Sequence, residues 1–269
     1  MSNDSTKKMI FVALGVCLVC SILVSTAAVS LSARQQKNKK LDKIKNILVA
    51  GELLQDGADV QAVFKEKVES GLVDLESGRL LSESDYNEKL NPETFDIKAM
   101  ADDAEYGKMI PADLDVAKIN KMPKVMGIYI VKENEQVNKY ILPVYGKGLW
   151  STMYGFLALG SDLQTIEGIT FYEHGETPGL GGEIDNPNWQ AIWKGKQAFK
   201  DNGEVGITVI KGQVEAGNPN EQFQIDGLSG STLTTRGLDA MVKFWLGETG
   251  YGPFIQHNKI QKEGIDEQG

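Results

Sequence analysis

The sequence predicts an α+β protein: a mixed, mainly antiparallel sheet with flanking helices, preceded by one N-terminal transmembrane helix. Three observations carry this expectation. Met9 to Leu31 is 23 residues without a charge. From Met126 onward, strand-like apolar runs alternate with turn residues. Close to the C-terminus, Leu238, Met241, Val242, Trp245 and Leu246 recur at the spacing of one helix face,.

The apolar run 9–31 would make about 34 Å of helix at ~1.5 Å per residue, enough to cross a bilayer. A cleaved signal peptide has a shorter apolar core, usually ~7–15 residues, so the reading is an uncleaved anchor behind a short tail, 1–8. Leu18-Val19-Cys20-Ser21 hints at a lipoprotein site, but Val19 is bulkier than the small residue such a site needs. Cys17 and Cys20, the only cysteines, both lie inside the span. The rest of the chain therefore has no disulfide and no Cys-ligated zinc or iron–sulfur cluster of its own.

Residues 32–110 read as juxtamembrane helices and a connecting segment. A basic run, 32–45, is expected near the lipid surface. Ile44, Ile47 and Leu48, then Val60, Val63, Phe64 and Val68, have helical spacing, with Gln55-Asp56-Gly57 as the break. Residues 70–118 are acidic and read as irregular connections and short elements. Within 111–256, Gly127–Val131 and Tyr140–Tyr145 flank Asn134-Glu135 as a hairpin. Met153–Leu159 and Ile166–Tyr172 are two more strands, joined near Gly160-Ser161-Asp162. Trp189–Phe199 reads as a helix capped by Asn186 or Asn188, and Val205–Ile210 as a strand. Residues 257–269 are a polar tail.

The chain of 269 residues carries a net charge of −9. Its first 45 residues take eight of the 28 basic groups and two of the 37 acidic ones, leaving 46–269 at a net −15. A domain so acidic is a poor nucleic-acid binder, since that affinity comes from basic contacts with phosphate.

The densest chemistry lies at Asp226-Gly227-Leu228-Ser229-Gly230-Ser231-Thr232-Leu233-Thr234-Thr235. Asp-Gly reads as a turn, and it delivers several hydroxyls to the start of the amphipathic helix. Unpaired amides and the helix dipole favour an anion there, such as a phosphate. Ordinary N-capping by Ser and Thr accounts for the same composition. A second segment, His174-Gly175-Glu176-Thr177-Pro178-Gly179-Leu180-Gly181-Gly182, is a shaped loop whose glycines let backbone approach a flat ligand. A third is Tyr145-Gly146-Lys147-Gly148-Leu149-Trp150-Ser151.

The first segment resembles the flavinylation motif of the FMN-binding domain family, an Asp followed by Ser/Thr-Gly-Ala-Thr. That resemblance implies FMN joined to Thr232 by a phosphoester bond, with Asp226, Ser229, Gly230 and Ser231 around it. Ser231 stands where the family has Ala and adds a second hydroxyl. The other two segments resemble loops of the same family, which implies Thr177, Leu180 and Trp150 against the isoalloxazine ring. The architecture is similar to that of the C subunits of Na+-translocating NADH:quinone oxidoreductases, with the G subunits of Rnf complexes as the nearest rival. It implies a single-pass subunit of the bacterial inner membrane that relays electrons. Its partners would be the other membrane and peripheral subunits of that complex, membrane lipid, and a flavin transferase during maturation.

Two other classes stand beside this one, a membrane-tethered hydrolase and a non-catalytic binding module. Ser229 or Thr232 could be a nucleophile with His174 as base, but no Gly-x-Ser-x-Gly elbow surrounds either residue. No Gly-x-Gly-x-x-Gly follows a strand, so NADH is expected to react elsewhere. Sidedness is contested within the sequence. More Lys and Arg follow the span than precede it, which favours a cytoplasmic domain, whereas the resemblance implies a periplasmic one.

Overall fold

The computed structural model describes residues 6–266, with side chains up to Ile260. The chain divides into two compact units between Lys43 and Ile44. Helix α1 (Thr6–Ala50), which supplies the first unit up to Lys43, is long and apolar enough to cross a membrane, and the side chains of its apolar stretch are all exposed. The predicted span 9–31 is thus the first part of a much longer helix.

The second unit is built on a five-stranded antiparallel sheet. Its strands are β1 (Val68–Asp74), β4 (Val125–Glu133), β5 (Gln136–Lys147), β6 (Thr152–Gly160) and β7 (Ile166–Glu173), ordered β1-β4-β5-β6-β7. Side chains alternate between faces along each strand. Ile128 and Ile130, Tyr140 and Leu142, and Leu157 and Leu159 join the larger core, with Leu238, Met241, Val242 and Trp245 of helix α5 (Thr232–Leu246). Tyr129 and Val131, Ile141, and Phe156 and Ala158 join the smaller core on the other face, with Ile47, Leu48 and Ala50. Both faces are covered, which is why the strands read as continuous apolar runs.

The expected hairpin forms, with Asn134 and Glu135 both at positive φ (50° and 65°), the geometry of a type I′ turn,. Pro143 is tolerated inside β5 because pairing with β4 runs only from Ile141 to Gln136,. Beyond that splay the Tyr251 hydroxyl lies 3.2 Å from the Gly127 carbonyl and 3.0 Å from that of Pro143, bridging the two strands.

Three local expectations are corrected. Residues 68–74 form an edge strand paired with β4; Glu69, Ser70 and Gly71 obscure its pattern, and Val68 belongs to the strand and not to the helix before it. That helix, α2, ends at Lys67 (Val60–Lys67). Trp189–Phe199 is helical only as α4 (Pro187–Ala191), capped by Asn186. The chain then turns, with Gly195 at φ 79° and Trp193 fully buried, so helical spacing there reflected burial and not a helix. Val205–Ile210 shrinks to β8 (Thr208–Val209), paired in parallel with β9 (Gln224–Ile225). The polar stretch after residue 256 continues helix α6 (Gly252–Asp266). Between β1 and β4 lie only short elements, α3 (Ile97–Asp102), β2 (Gly107–Met109) and β3 (Lys121–Pro123).

The end of α1 is part of this fold. The Thr170 hydroxyl donates to the Asn46 carbonyl at 3.0 Å, and Ile47, Leu48 and Ala50 are at most 1% exposed. Leu48→Ala should therefore cost about 2–5 kcal/mol, as for other buried Leu truncations. Urea unfolding of the detergent-solubilised chain measures it. Leu41, outside this core and more than a third exposed, should tolerate the same change.

Candidate functional site

Two loops and one helix start meet at one end of the sheet. β5 and β6 are joined by Gly148-Leu149-Trp150-Ser151, a reversal closed by the Gly148 amide donating to the Ser151 carbonyl at 2.8 Å. β7 runs antiparallel to β6, so its last residue, Glu173, faces Tyr154 beside that reversal. The chain leaves it as the loop 174–182. α5 begins at Thr232, and Gly237 in its second turn lies so near Lys147 that a Cβ would strike the Lys147 carbonyl.

These three pieces are joined by one side chain. Glu176 is 4% exposed. Its Oε1 accepts from the Trp150 amide at 2.9 Å and the Ser151 amide at 3.2 Å, and its Oε2 from the Leu149 amide at 3.1 Å. The Thr234 hydroxyl donates to Oε2 at 2.6 Å, and the Ser231 hydroxyl donates in turn to Thr234 Oγ1 at 2.9 Å. Burial pushes the Glu176 carboxyl up, but the Thr234 hydroxyl and the three amides outweigh it, holding the group below its usual range,. The packing leaves no room for side chains around it. A Cβ on Gly148 would sit 2.5 Å from Glu176 Oε1, and one on Gly181 2.5 Å from Thr234 Oγ1.

His174 orients the same loop. Its Nδ1 accepts from the Glu176 amide at 3.1 Å, so its Nε2 carries the proton facing Asp185 Oδ2 at 2.7 Å. Asp185 raises the imidazole's pKa, with burial opposing. Both ring nitrogens are occupied, and neither partner is a hydroxyl of 229–235. The hydrolase reading, which needed His174 as a base for Ser229 or Thr232, has no geometric support.

The hydroxyl run sorts itself by partner. Thr235 Oγ1 donates to the Ser231 carbonyl at 2.9 Å and accepts from the Leu228 amide at 3.1 Å. With Ser231 and Thr234 tied to Glu176, three of the hydroxyls are structural. Ser231 is the N-cap by position, yet its side chain caps nothing. Thr232, the first helical residue, is half-buried and its hydroxyl has no partner among the described residues; Ser229 and Gly230 form an exposed turn before it, closed by the Ser231 amide on the Leu228 carbonyl at 3.2 Å.

Asp226 is placed apart from this cluster. Its Oδ1 accepts from the Val214 amide at 2.7 Å, its carbonyl accepts from Trp189 Nε1 at 2.9 Å, and Gly227 donates to the Gly212 carbonyl at 2.7 Å. The expected Asp-Gly turn is thus a strap onto 212–214, and the true turn is Ser229-Gly230. Thr177 opens a tight turn, its carbonyl accepting from the Leu180 and Gly182 amides at 3.1 and 2.9 Å. Trp150 is 67% exposed and Leu180 44%. Leu149 and Leu233 are exposed too, giving the helix start an apolar rim. Glu176, the residue that organises the site, was read only as part of a loop. The available signal was an acidic residue set among glycines, in an order that leaves many backbone amides unpaired.

This fold and this convergence of segments define an FMN-binding domain, and the FMN-binding domain family model matches residues 148–247. The chain belongs to the family of C subunits of Na(+)-translocating NADH-quinone reductases. It is 45% identical to the Yersinia pestis member over 260 residues, 95% of this chain and 94% of that one. The Pseudomonas aeruginosa member is 41% identical over 94% of this chain and 96% of its own. The crystal structure of Shewanella oneidensis NqrC superposes with a TM-score of 0.73 at 32% identity, covering 83% of this chain and 99% of that one.

Because Glu176 titrates lower in the folded protein than in the unfolded chain, its contribution is complete above the ordinary Glu value of about 4.3. It is lost as pH falls through the depressed folded value. Glu176→Gln should lower stability by on the order of 1–3 kcal/mol near neutrality. Urea titrations across pH should show the gap to wild type closing on the acid side. A gap independent of pH would mean that the carboxylate is not the group being read.

Proposed function

We propose that this chain is the membrane-anchored, FMN-bearing subunit of a Na+-translocating NADH:quinone oxidoreductase, with FMN held on Thr232 through a phosphoester bond. The observation that carries this reading is the hydroxyl accounting. Ser231, Thr234 and Thr235 are bound within the protein, whereas the Ser229 and Thr232 hydroxyls have no partner among the described residues, and of these two only Thr232 stands at the first position of a helix whose N-cap residue does not cap it. The residues present fit FMN. A helix start with uncapped amides suits a phosphate, and the exposed Trp150 and Leu180 supply apolar surface for a ring.

FMN, when bound, supplies redox chemistry that can pass electrons singly. The chain's own residues have the simpler tasks. Thr232 holds the phosphate end, Thr177, Leu180 and Trp150 offer the ring a less watery surface, and Glu176 holds their backbones in register. The names of the relatives support a place among the other subunits of such a complex, where this chain would relay electrons between neighbouring centres. A flavin transferase would load the Thr232 hydroxyl. The helix α1 would anchor the chain in the inner membrane lipid by a single pass, with residues 32–110 leading to an FMN-binding domain over 111–256 on the periplasmic side. The basic residues after the span do not forbid that side, because long domains are translocated largely regardless of flanking charge.

Thr232→Ala should abolish the covalent flavin mass on the peptide that contains it, while Ser231→Ala should keep it. Mass mapping after co-production with a flavin transferase reads both. Flavin on Ser231 or Thr234 in the Thr232→Ala protein would overturn the attachment site.

Trp150→Ala and Leu180→Ala should retain the flavin but shift its absorption and midpoint potential. An aromatic contact worth roughly 1 kcal/mol corresponds to tens of millivolts for one electron. Since both side chains are exposed, thermal stability should change little. Unchanged spectra and potentials in both variants would place the ring elsewhere.

A further inference from the structure

We propose that Glu176 is the positioning residue of the flavin site, the group whose carboxylate bonds both the Trp150 loop and the helix start carrying Thr232. The proposal rests on the FMN reading above and deepens it. Among the described residues, the Trp150 indole has no ring partner and no hydrogen bond, and it is 67% exposed. Where that indole lies is therefore decided by its backbone. That backbone is held at three consecutive amides, Leu149, Trp150 and Ser151, by the two oxygens of Glu176. Consecutive amides turned toward one point make an anion-binding concavity, and here the anion is a side chain of the protein.

The other arm of the same carboxylate runs to α5. Thr234 Oγ1 donates to Oε2 at 2.6 Å and receives the Ser231 hydroxyl at 2.9 Å, so the residues on both sides of Thr232 are tethered while Thr232 itself stays free. Leu180 is brought in by the same packing. It lies over Gly230, where a Cβ would come within 3.0 Å of Leu180 Cδ2, and its neighbour Gly181 abuts Thr234. A carboxylate shared by the ring-facing loops and the attachment helix fixes the ring's surroundings relative to its phosphate anchor. Glu176 touches neither flavin end by itself. It acts through Trp150, Leu180 and Thr232.

The test compares full-length wild type, E176Q and T234V, each prepared with and without flavin transferase, below the melting temperature of the least stable. E176Q turns an amide nitrogen toward amides that need an acceptor; T234V removes only the helix arm. In the flavin-loaded proteins the mass increment on the Thr232 peptide should remain, because that hydroxyl is untouched. The visible circular dichroism and the midpoint potential of the flavin should both shift, more in E176Q than in T234V. In the flavin-free proteins, hydrogen exchange at Leu149, Trp150 and Ser151 should quicken by roughly tenfold or more in E176Q, with less change in the central strands.

Exchange at 149–151 as slow as in wild type overturns the proposal, and so do flavin signals identical to wild type in both variants. Either result would leave Glu176 a stabiliser of the fold only. If E176Q does not fold, T234V decides by the flavin signals alone, since its three amide bonds to Glu176 remain. A wild-type chain that takes up no flavin would defeat the FMN reading instead. The exchange comparison would then still show whether Glu176 holds the Trp150 loop.

Discussion

A carboxylate removed from water is costly unless its oxygens are filled by donors. Glu176 meets that condition with three backbone amides and one hydroxyl, drawn from two segments distant in sequence. The condition works in both directions. The amides of 149–151 sit in a reversal too tight to pair with one another, and they need an acceptor as much as Glu176 needs donors. Removing either side strands the other. The geometry of the loop 148–151, the loop 174–182 and the start of α5 is therefore a single problem with one shared solution. Gly148 and Gly181 are glycines because that solution leaves no space for a Cβ.

The sheet makes such a meeting possible. In an antiparallel order the β5–β6 connection and the exit from β7 fall at the same end of the sheet, so two loops about 25 residues apart in sequence become neighbours without any crossover. α5 packs on the sheet through Leu238, Met241, Val242 and Trp245, and the Trp245 indole donates to the Tyr145 carbonyl at 2.7 Å. That bond fixes the helix two residues upstream of Lys147, where the site loop begins. Rigid strands and a buried helix face thus set the frame, and the exposed residues Trp150, Leu180 and Leu233 inherit their positions from it.

Much of this was legible in the sequence, for identifiable reasons. The apolar run 9–31, the hairpin around Asn134-Glu135 and the face of α5 are strong periodic signals, and all three appear in the structure. β1 was missed because an edge strand need not be apolar along its length, and Glu69-Ser70-Gly71 carries little pattern. Residues 189–199 misled because, past the one-turn helix α4 that holds Trp189, the half-buried Ile192 and the buried Trp193 meet the core from turns, and contact with the core alone mimics helical spacing. At the site, the three segments were visible and their convergence was implied only by resemblance. The bonds of Glu176 were not visible, since a hydrogen bond between residues 58 apart leaves no local trace.

The same limit explains what could be said of the hydroxyls. By composition, Ser229, Ser231, Thr232, Thr234 and Thr235 are interchangeable, and a run of this kind reads equally well as a helix cap. Partners distinguish three of them, and position separates the other two: Ser229 lies in the exposed turn, Thr232 in the first turn of α5. Thr235 closes the turn back onto Leu228 and Ser231, and Ser231 with Thr234 continues the chain of donors that ends on Glu176. A hydroxyl that already donates inside a buried network can be modified only by breaking that network and leaving an acceptor unfilled. Thr232 carries no such obligation. The departure at Ser231 from the small residue of the family is thereby absorbed by the structure. Its extra oxygen is directed inward to Thr234, where it extends the network.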